Sequence, residues 1–440
     1  MVFAALFVPR DLREAVSDQA WFEAMLEAER ALASAEAIAG VIPAEAAARI
    51  AECCRSELFD AEELAAQGGS VGNPAEPLVR SLTATVGGEA ARYVHWGATS
   101  QDVMDTASML VARRALDLIL LELDRVAACS AVLARDHRST PMAARTLLQQ
   151  AVPTTFGFKA AGWLVALLDA RRGLRRVREG GLAAQLGGAA GTLAALGDQG
   201  PAVLQLFAQE LDLPEPIVPW HTNRVRMAEL GGALGVTAGV LAKIGLDLTL
   251  LAQTEVDEVR EAAGGGSSTM PQKRNPVGSV LARACAQLVS GYTTVLSGSL
   301  VHEHERATGA WQAEWEALSG ALAYTGGAAA AIGGALDELE VDVARMRHNL
   351  EATRGLIMSE RIAFMLAGQV GRPEAHELVG AAASRAVDSG RSLQEELSAD
   401  SSIGLSDKEL DEAFDPTTYL GSAEVFVERA LAQYEREEGR

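Results

Sequence analysis

The densest run of chemistry-bearing residues in this chain is Gly264-Gly265-Gly266-Ser267-Ser268-Thr269-Met270-Pro271-Gln272-Lys273-Arg274-Asn275-Pro276. Three glycines in succession let the backbone move and approach a ligand closely. Behind them stand the hydroxyls of Ser267, Ser268 and Thr269, the cations Lys273 and Arg274, and the amide of Asn275. Lysine is otherwise found only at Lys159, Lys243 and Lys408, which makes Lys273 a feature rather than background. Pro276 suits the first position of a following helix, whose positive N-terminus would add to the charge. The composition describes either an anion pocket with an oxygen nucleophile or base, or a flexible linker between helices. The G-x-x-x-x-G-K-[ST] order of a nucleotide phosphate loop is absent.

Three other stretches carry related chemistry. His95-Trp96-Gly97-Ala98-Thr99-Ser100-Gln101-Asp102 sets a histidine, two hydroxyls and an amide ahead of a long helical window, where Thr99 or Ser100 binds a ligand or caps the helix. Thr146-Leu147-Leu148-Gln149-Gln150 lies between two helical windows, as a second polar contributor or a buried polar linker. His302-Glu303-His304-Glu305-Arg306 precedes Trp311 and Trp315. An arginine beside two tryptophans suits an anionic, unsaturated organic acid, with core packing of the tryptophans as the alternative. His302 and His304 form an H-x-H pair with no third ligand at a known spacing, so no metal is expected. His137, His221, His348 and His376 stand alone and read as structural.

Such loops need rigid elements to hold them. Alanine, leucine, glutamate and arginine dominate, and apolar residues recur at three and four positions, which favours helix. Long helical windows cover 105–137, 155–178, 227–261, 276–299 and 313–339, the first spanning about 50 Å. Strand signals are few and short. The expected fold is all-α, with three helical domains: 1–105, a long central bundle at 106–350, and 351–440. Breaks fall at 68–77, 87–99, 138–153, 211–222 and 263–276, and the acidic segment 398–415 reads as solvated surface. The net charge of −21, from 59 acidic and 38 basic side chains, argues against a nucleic-acid binder or an anionic membrane surface. The small-residue run at 318–336 comes nearest to a spanning segment and reads instead as a bundle helix. Four cysteines without C-x-x-C spacing suit a reducing cytosol, and residues 1–10 carry no basic leader, so a cytoplasmic protein is expected.

The run from Gly266 to Pro276 resembles the G-S-S-x-M-P-x-K-x-N-P signature of the fumarase/aspartase superfamily. The 95–102 and 146–155 loops resemble that family's first and second conserved regions, in the expected order, and the similarity extends through 355–381. Within the superfamily, 95–102 and 304–315 are most similar to its cycloisomerases, with adenylosuccinate lyase the nearest relative among the rest. The resemblance implies a homotetramer built on a twenty-helix bundle, each active site drawing three loops from three subunits. It implies Ser267 as the base, Lys273 and Asn275 as carboxylate ligands, and Thr99, Ser100, Thr146 and Gln149 as substrate-binding groups. Ser268 and Arg306 complete the expected binding set, and His95 is expected to partner Ser267 in catalysis. The substrate would be a small unsaturated tricarboxylate, with no cofactor.

Two positions depart from the family pattern. Many members carry a histidine after the second-region threonine, where this chain has Leu147. They carry a glutamate five residues after the signature asparagine, where this chain has Val280. Family reactions move a proton beside a carboxylate and hold the carbanion as an aci-carboxylate, which requires Lys273 and aimed donors. Expelling hydroxide or an amine also requires a general acid. Opening a lactone expels a carboxylate of pKa about 4, which leaves unprotonated. The expected activity is therefore an intramolecular lyase, a cycloisomerase. An amine-eliminating C–N lyase is the alternative, and an inert helical scaffold the third; the intact Ser267, Lys273 and Asn275 speak against the last.

Overall fold

The computed structural model describes residues 3–262, 265–266 and 269–439. Ser267 and Ser268 lie outside the described residues. The fold is all-α apart from three small antiparallel strand pairs. The principal helices begin with α1 (Asp18–Ile38), α2 (Ala44–Cys53), α3 (Ala75–Val86) and α4 (Ser100–Asp136). The hairpin β1 (Pro141–Thr146) and β2 (Gln149–Thr155) leads into α5 (Phe156–Arg176), α6 (Gly200–Glu210) and α7 (Val225–Leu251). Short strands β3 (Val259–Glu261), β4 (Gly265–Gly266) and β5 (Arg274–Asn275) precede α8 (Val277–Gly298) and α9 (Ala310–Asp337). After β6 (Leu339–Val341) come α10 (Val343–Glu351), α11 (Ser359–Val370), α12 (Arg372–Ser389), α13 (Leu393–Ser398), α14 (Asp407–Ala413) and α15 (Ala423–Glu438).

Two compact units result. The first holds residues 1–124, 169–243 and 281–332. There α1 packs on α2 and α6, and Ile50, Cys53, Leu82 and Val86 close one patch of its core. Ser17 caps α1 by accepting from Ala20 N, which fixes where that helix starts. The second holds residues 125–168, 244–280 and 333–440. Its α11 and α12 pack together over Ile362, Leu366, Val379, Leu393, Leu397 and Leu410. Ser392 and Ser406 form capping boxes with Glu395 and Glu409, so each short acidic helix begins at a defined serine.

Two local expectations change. The window 227–261 is not one helix: α7 ends at Leu251, Asp257 takes a left-handed φ of 51°, and 259–261 pairs with β6. The turn is fixed by Glu258, whose buried carboxylate is tied to Arg145 and Asn349. Among the described helices, the one long and apolar enough to cross a membrane is α7, with a mean hydropathy of 1.6, and not 318–336. It carries Arg226, Glu229, Lys243 and Asp247, and 44% of its most apolar window is buried.

Candidate active site

The first-region loop is organised by Asp102, which is 1% exposed. Its carboxylate accepts from Thr99 N (3.0 Å), Gly187 N (2.9 Å), Gly188 N (2.9 Å), Gln185 Nε2 (3.2 Å) and His221 Nε2 (2.6 Å). Those donors satisfy a buried carboxylate that would otherwise be costly. Glycine is required at Gly188, where φ is +67° and a Cβ would sit 2.8 Å from Gly97 O. The bond from Thr99 N to Asp102 Oδ2 ties the loop to the first turn of α4. His221 serves structurally here, as its isolation in the sequence suggested. His95 stands at the edge of the same loop with Nδ1 2.6 Å from Glu29 Oε1. Burial works against its proton, but the Glu29 charge and hydrogen bond prevail and raise its pKa.

Behind this loop lies a buried ionic core. Arg224 is bidentate to Asp105 at 2.8 and 3.0 Å and reaches Glu314 Oε1 at 3.0 Å. Trp311 Nε1 donates to Asp105 Oδ1 at 3.0 Å, and Trp220 stacks on the Arg224 guanidinium at 4.7 Å. Burial lifts the Glu314 carboxyl to about 7 against the pull of Arg224. Burial, with Arg224 nearby, lowers the pKa of His302, whose Nε2 lies 3.6 Å from Glu314 Oε1. Gln101 connects core to surface. Its Nε2 donates to Asp105 Oδ2 and His221 O, leaving its Oε1 to accept from Arg306 Nη1 at 3.0 Å. Arg306 Nη2 donates to Ala189 O at 3.0 Å. Arg306 is thus brought to the 95–102 loop. Trp311 and Trp315 meet edge to face at 4.9 Å, so they pack on each other.

In the second unit the 146–150 stretch is the tip of the β1–β2 hairpin, not a buried linker, with Thr146 opposite Gln149. Leu147 and Leu148 turn the corner with φ of 51° and 64°, a pattern normally given to Asn-Gly. They are 96% and 75% exposed. Arg145 anchors the hairpin through two bonds, of 2.9 and 2.7 Å, to Glu258. Lys273 and Asn275 belong to the signature loop, whose ends pair as Gly265 with Asn275 and Gly266 with Arg274. They line an open cavity of about 870 Å³ together with Arg274, Glu255, Glu261 and the paired Arg260 and Asp257. The positive N-terminus of α8 does not add to that pocket. Glu261 fills it, accepting from Gly278 N (2.9 Å), Ser279 N (3.0 Å) and Ser279 Oγ (2.5 Å). The positive charge available to an anion there comes from side chains, Lys273 foremost. Val280 is 49% exposed and offers no proton.

His95, Thr99, Ser100 and Arg306 therefore belong to the first unit, and Thr146, Gln149, Lys273 and Asn275 to the second. Sequence reasoning missed Glu29, Asp105, Arg224 and Glu314. Asp102 and Asp105 recur at helical spacing at the start of α4, a usable signal; nothing local marks Arg224 as their partner.

A family model described as lyase matches residues 8–291, and one described as adenylosuccinate lyase C-terminus matches 355–430. The chain is 48% identical to a 3-carboxy-cis,cis-muconate cycloisomerase of Bradyrhizobium diazoefficiens, over 97% of this chain and 96% of the relative. It is 46% identical to a nitrosuccinate lyase of Streptomyces davaonensis, over 96% of this chain and 92% of the relative. The crystal structure of 3-carboxy-cis,cis-muconate lactonizing enzyme from Pseudomonas putida superposes with a TM-score of 0.93 at 43% identity, covering 99% of each chain.

Proposed function

Because this chain belongs to the fumarase/aspartase superfamily of lyases, we propose that it interconverts 3-carboxy-cis,cis-muconate and carboxymuconolactone, a cycloisomerase reaction of protocatechuate catabolism. The observation that carries the reading is a contrast within one chain. The carboxylate-binding pair Lys273 and Asn275 is intact, while apolar Leu147 and Val280 stand where many relatives hold a proton-donating pair.

In the lactone-forming direction, an oxygen of one substrate carboxylate bonds to an alkene carbon. The π pair moves to the neighbouring carbon, which takes a proton from the protein. In reverse, that proton is removed, the pair re-forms the alkene, and the C–O bond breaks with carboxylate as leaving group. Charge accumulates on the carboxylate beside the reacting carbon, and Lys273 and Asn275 hold it there. Ser267 carries the proton, with His95 as its partner. Thr99, Ser100, Thr146, Gln149, Ser268 and Arg306 bind and orient the remaining carboxylates. No electrons are exchanged, so the reaction requires no redox cofactor.

The same reading makes the protein a cytoplasmic homotetramer with shared active sites. Association is supported by apolar side chains left exposed on the long helices, among them Leu121 (66%), Val236 (62%) and Leu288 (41%). The exposed hairpin tip, bearing Thr146 and Gln149, supports a site completed by another copy. Four free cysteines suit a reducing compartment. The division at residues 105 and 350 belongs to the same proposal, and its second boundary is supported by the separate family match beginning at 355.

A second reading is a C–N lyase of the same superfamily, favoured by the 46% identity to a nitrosuccinate lyase. Nitrite, like a carboxylate, is a weak base and leaves without a proton, so the absent donor pair tolerates this reaction too. Adenylosuccinate, with an amine leaving group, fits less well. A spectrophotometric assay decides: the diene absorbance of 3-carboxy-cis,cis-muconate falls as lactone forms. A flat trace, with nitrite released from nitrosuccinate, would favour the second reading.

A further inference from the structure

We infer that Glu29 is the positioning residue that holds His95 as the proton-transfer group of this site, an inference that rests on the cycloisomerase reading. Glu29 lies on the inner face of α1, 1% exposed, with Oε1 2.6 Å from His95 Nδ1. Its other oxygen has no hydrogen-bond partner among the described residues, so the bond to His95 is what compensates its burial. His95 is 15% exposed, and its Nε2 makes no hydrogen bond among the described residues. Its backbone takes φ of +58°, a conformation strained for a non-glycine residue that persists only when the surroundings impose it. In the same loop, the Asp102 hub ties down Thr99 and the Gly187–Gly188 turn.

The geometry assigns the tautomer. With Nδ1–H donating to Glu29, neutral His95 presents a lone pair at Nε2, and the imidazolium presents an N–H there. In lactonisation Nε2–H gives its proton to the reacting carbon or to the hydroxyl serving it. His95 becomes neutral with its Nδ1–H still on Glu29, and water returns the proton. Ring opening runs the same transfer backwards. The groups that face the pair favour the charged imidazole. Asp102 adds negative charge from α4. Glu36, further along α1, stays protonated at neutral pH because burial raises it to about 9. Cys54, after α2, stays a thiol, burial lifting it to about 12 with Arg30 opposing only weakly.

The test reads His95 directly. In protein labelled with 13C-histidine and free of substrate, Glu29→Gln should lower the His95 titration midpoint by at least about one pH unit. With 3-carboxy-cis,cis-muconate, Glu29→Gln should lower kcat about 10–100-fold, leave KM within about threefold, and shift the alkaline limb of the rate profile downward. Glu29→Asp, which keeps the charge, should restore the limb. His95→Ala with and without Glu29→Gln should show one rate, because the pair acts as a unit. An unchanged His95 midpoint in well-folded Glu29→Gln, or multiplicative losses in the double variant, would overturn the inference. A wild-type protein inactive on the muconate would retire the substrate assignment instead, and the substrate-free titration would still decide the role of Glu29.

Discussion

Glu36→Gln should make the protein more stable, increasingly so as pH rises. Glu36 is fully buried on α1, and neither carboxyl oxygen has a partner among the described residues. Burial, reinforced by the charge of Glu29, lifts its pKa from 4.5 to about 9. Below about pH 4.5 the folded and unfolded chains both hold the proton, and the site imposes no pH dependence. Between there and about pH 9 the unfolded chain ionises while the folded chain stays protonated. Stability then falls with rising pH, by about 1.4 kcal/mol per unit for one such group. From pH 5.5 to 7.5 the loss is about 3 kcal/mol, and glutamine, which does not titrate, abolishes it. Urea unfolding of wild type and variant at intervals across that range, followed by circular dichroism, measures the difference. The two stabilities should lie close together near pH 5 and diverge above it. Parallel curves, or a variant that loses ground as pH rises, would show that Glu36 is ionised in the folded protein.

Three further outcomes follow from the site. Ser267→Ala should lower turnover by about 10²–10⁴ with an unchanged far-ultraviolet spectrum, the range for a positioned acid or base; near-normal turnover would move the proton transfer wholly to His95. Inactive Thr146→Ala and Ser267→Ala proteins, dissociated and reassembled together, should recover activity in mixed tetramers, and no recovery would mean that each site is built from one chain. Arg224→Met should cost about 3–5 kcal/mol in urea unfolding, since it leaves Asp105 and Glu314 buried without their countercharge; a loss under about 1 kcal/mol would mean that the network is hydrated.

The long helices were legible because their apolar spacing runs unbroken for many turns. The window begun at residue 105 proves to be Ser100–Asp136, and that begun at 313 proves to be Ala310–Asp337. The overrun at 227–261 arose because Thr254 to Asp257 carry no glycine or proline, and a left-handed Asp257 breaks the helix without announcing itself. Two consecutive leucines likewise hid the 147–148 turn, since bulky residues seldom accept positive φ. The signature loop could be read residue by residue, because its chemistry is contiguous. The ionic core could not, because Asp105, Arg224 and Glu314 meet only after folding. Nor could the pairing of His95 with Glu29, which are 66 residues apart in the chain. The fate of the α8 N-terminus was equally hidden: Pro276 announced a helix start, but not that Glu261 would occupy it.

The central claim is that the site suits a leaving group needing no proton, because Leu147 and Val280 cannot supply one. Side-by-side turnover of 3-carboxy-cis,cis-muconate and adenylosuccinate by the wild-type protein tests it most directly. The muconate should be converted, and adenylosuccinate should react at least about 10²-fold more slowly, the usual cost of a missing general acid. Efficient release of AMP from adenylosuccinate, with no change in the muconate absorbance, would contradict the account and would mean that another residue, His95 foremost, protonates the departing amine.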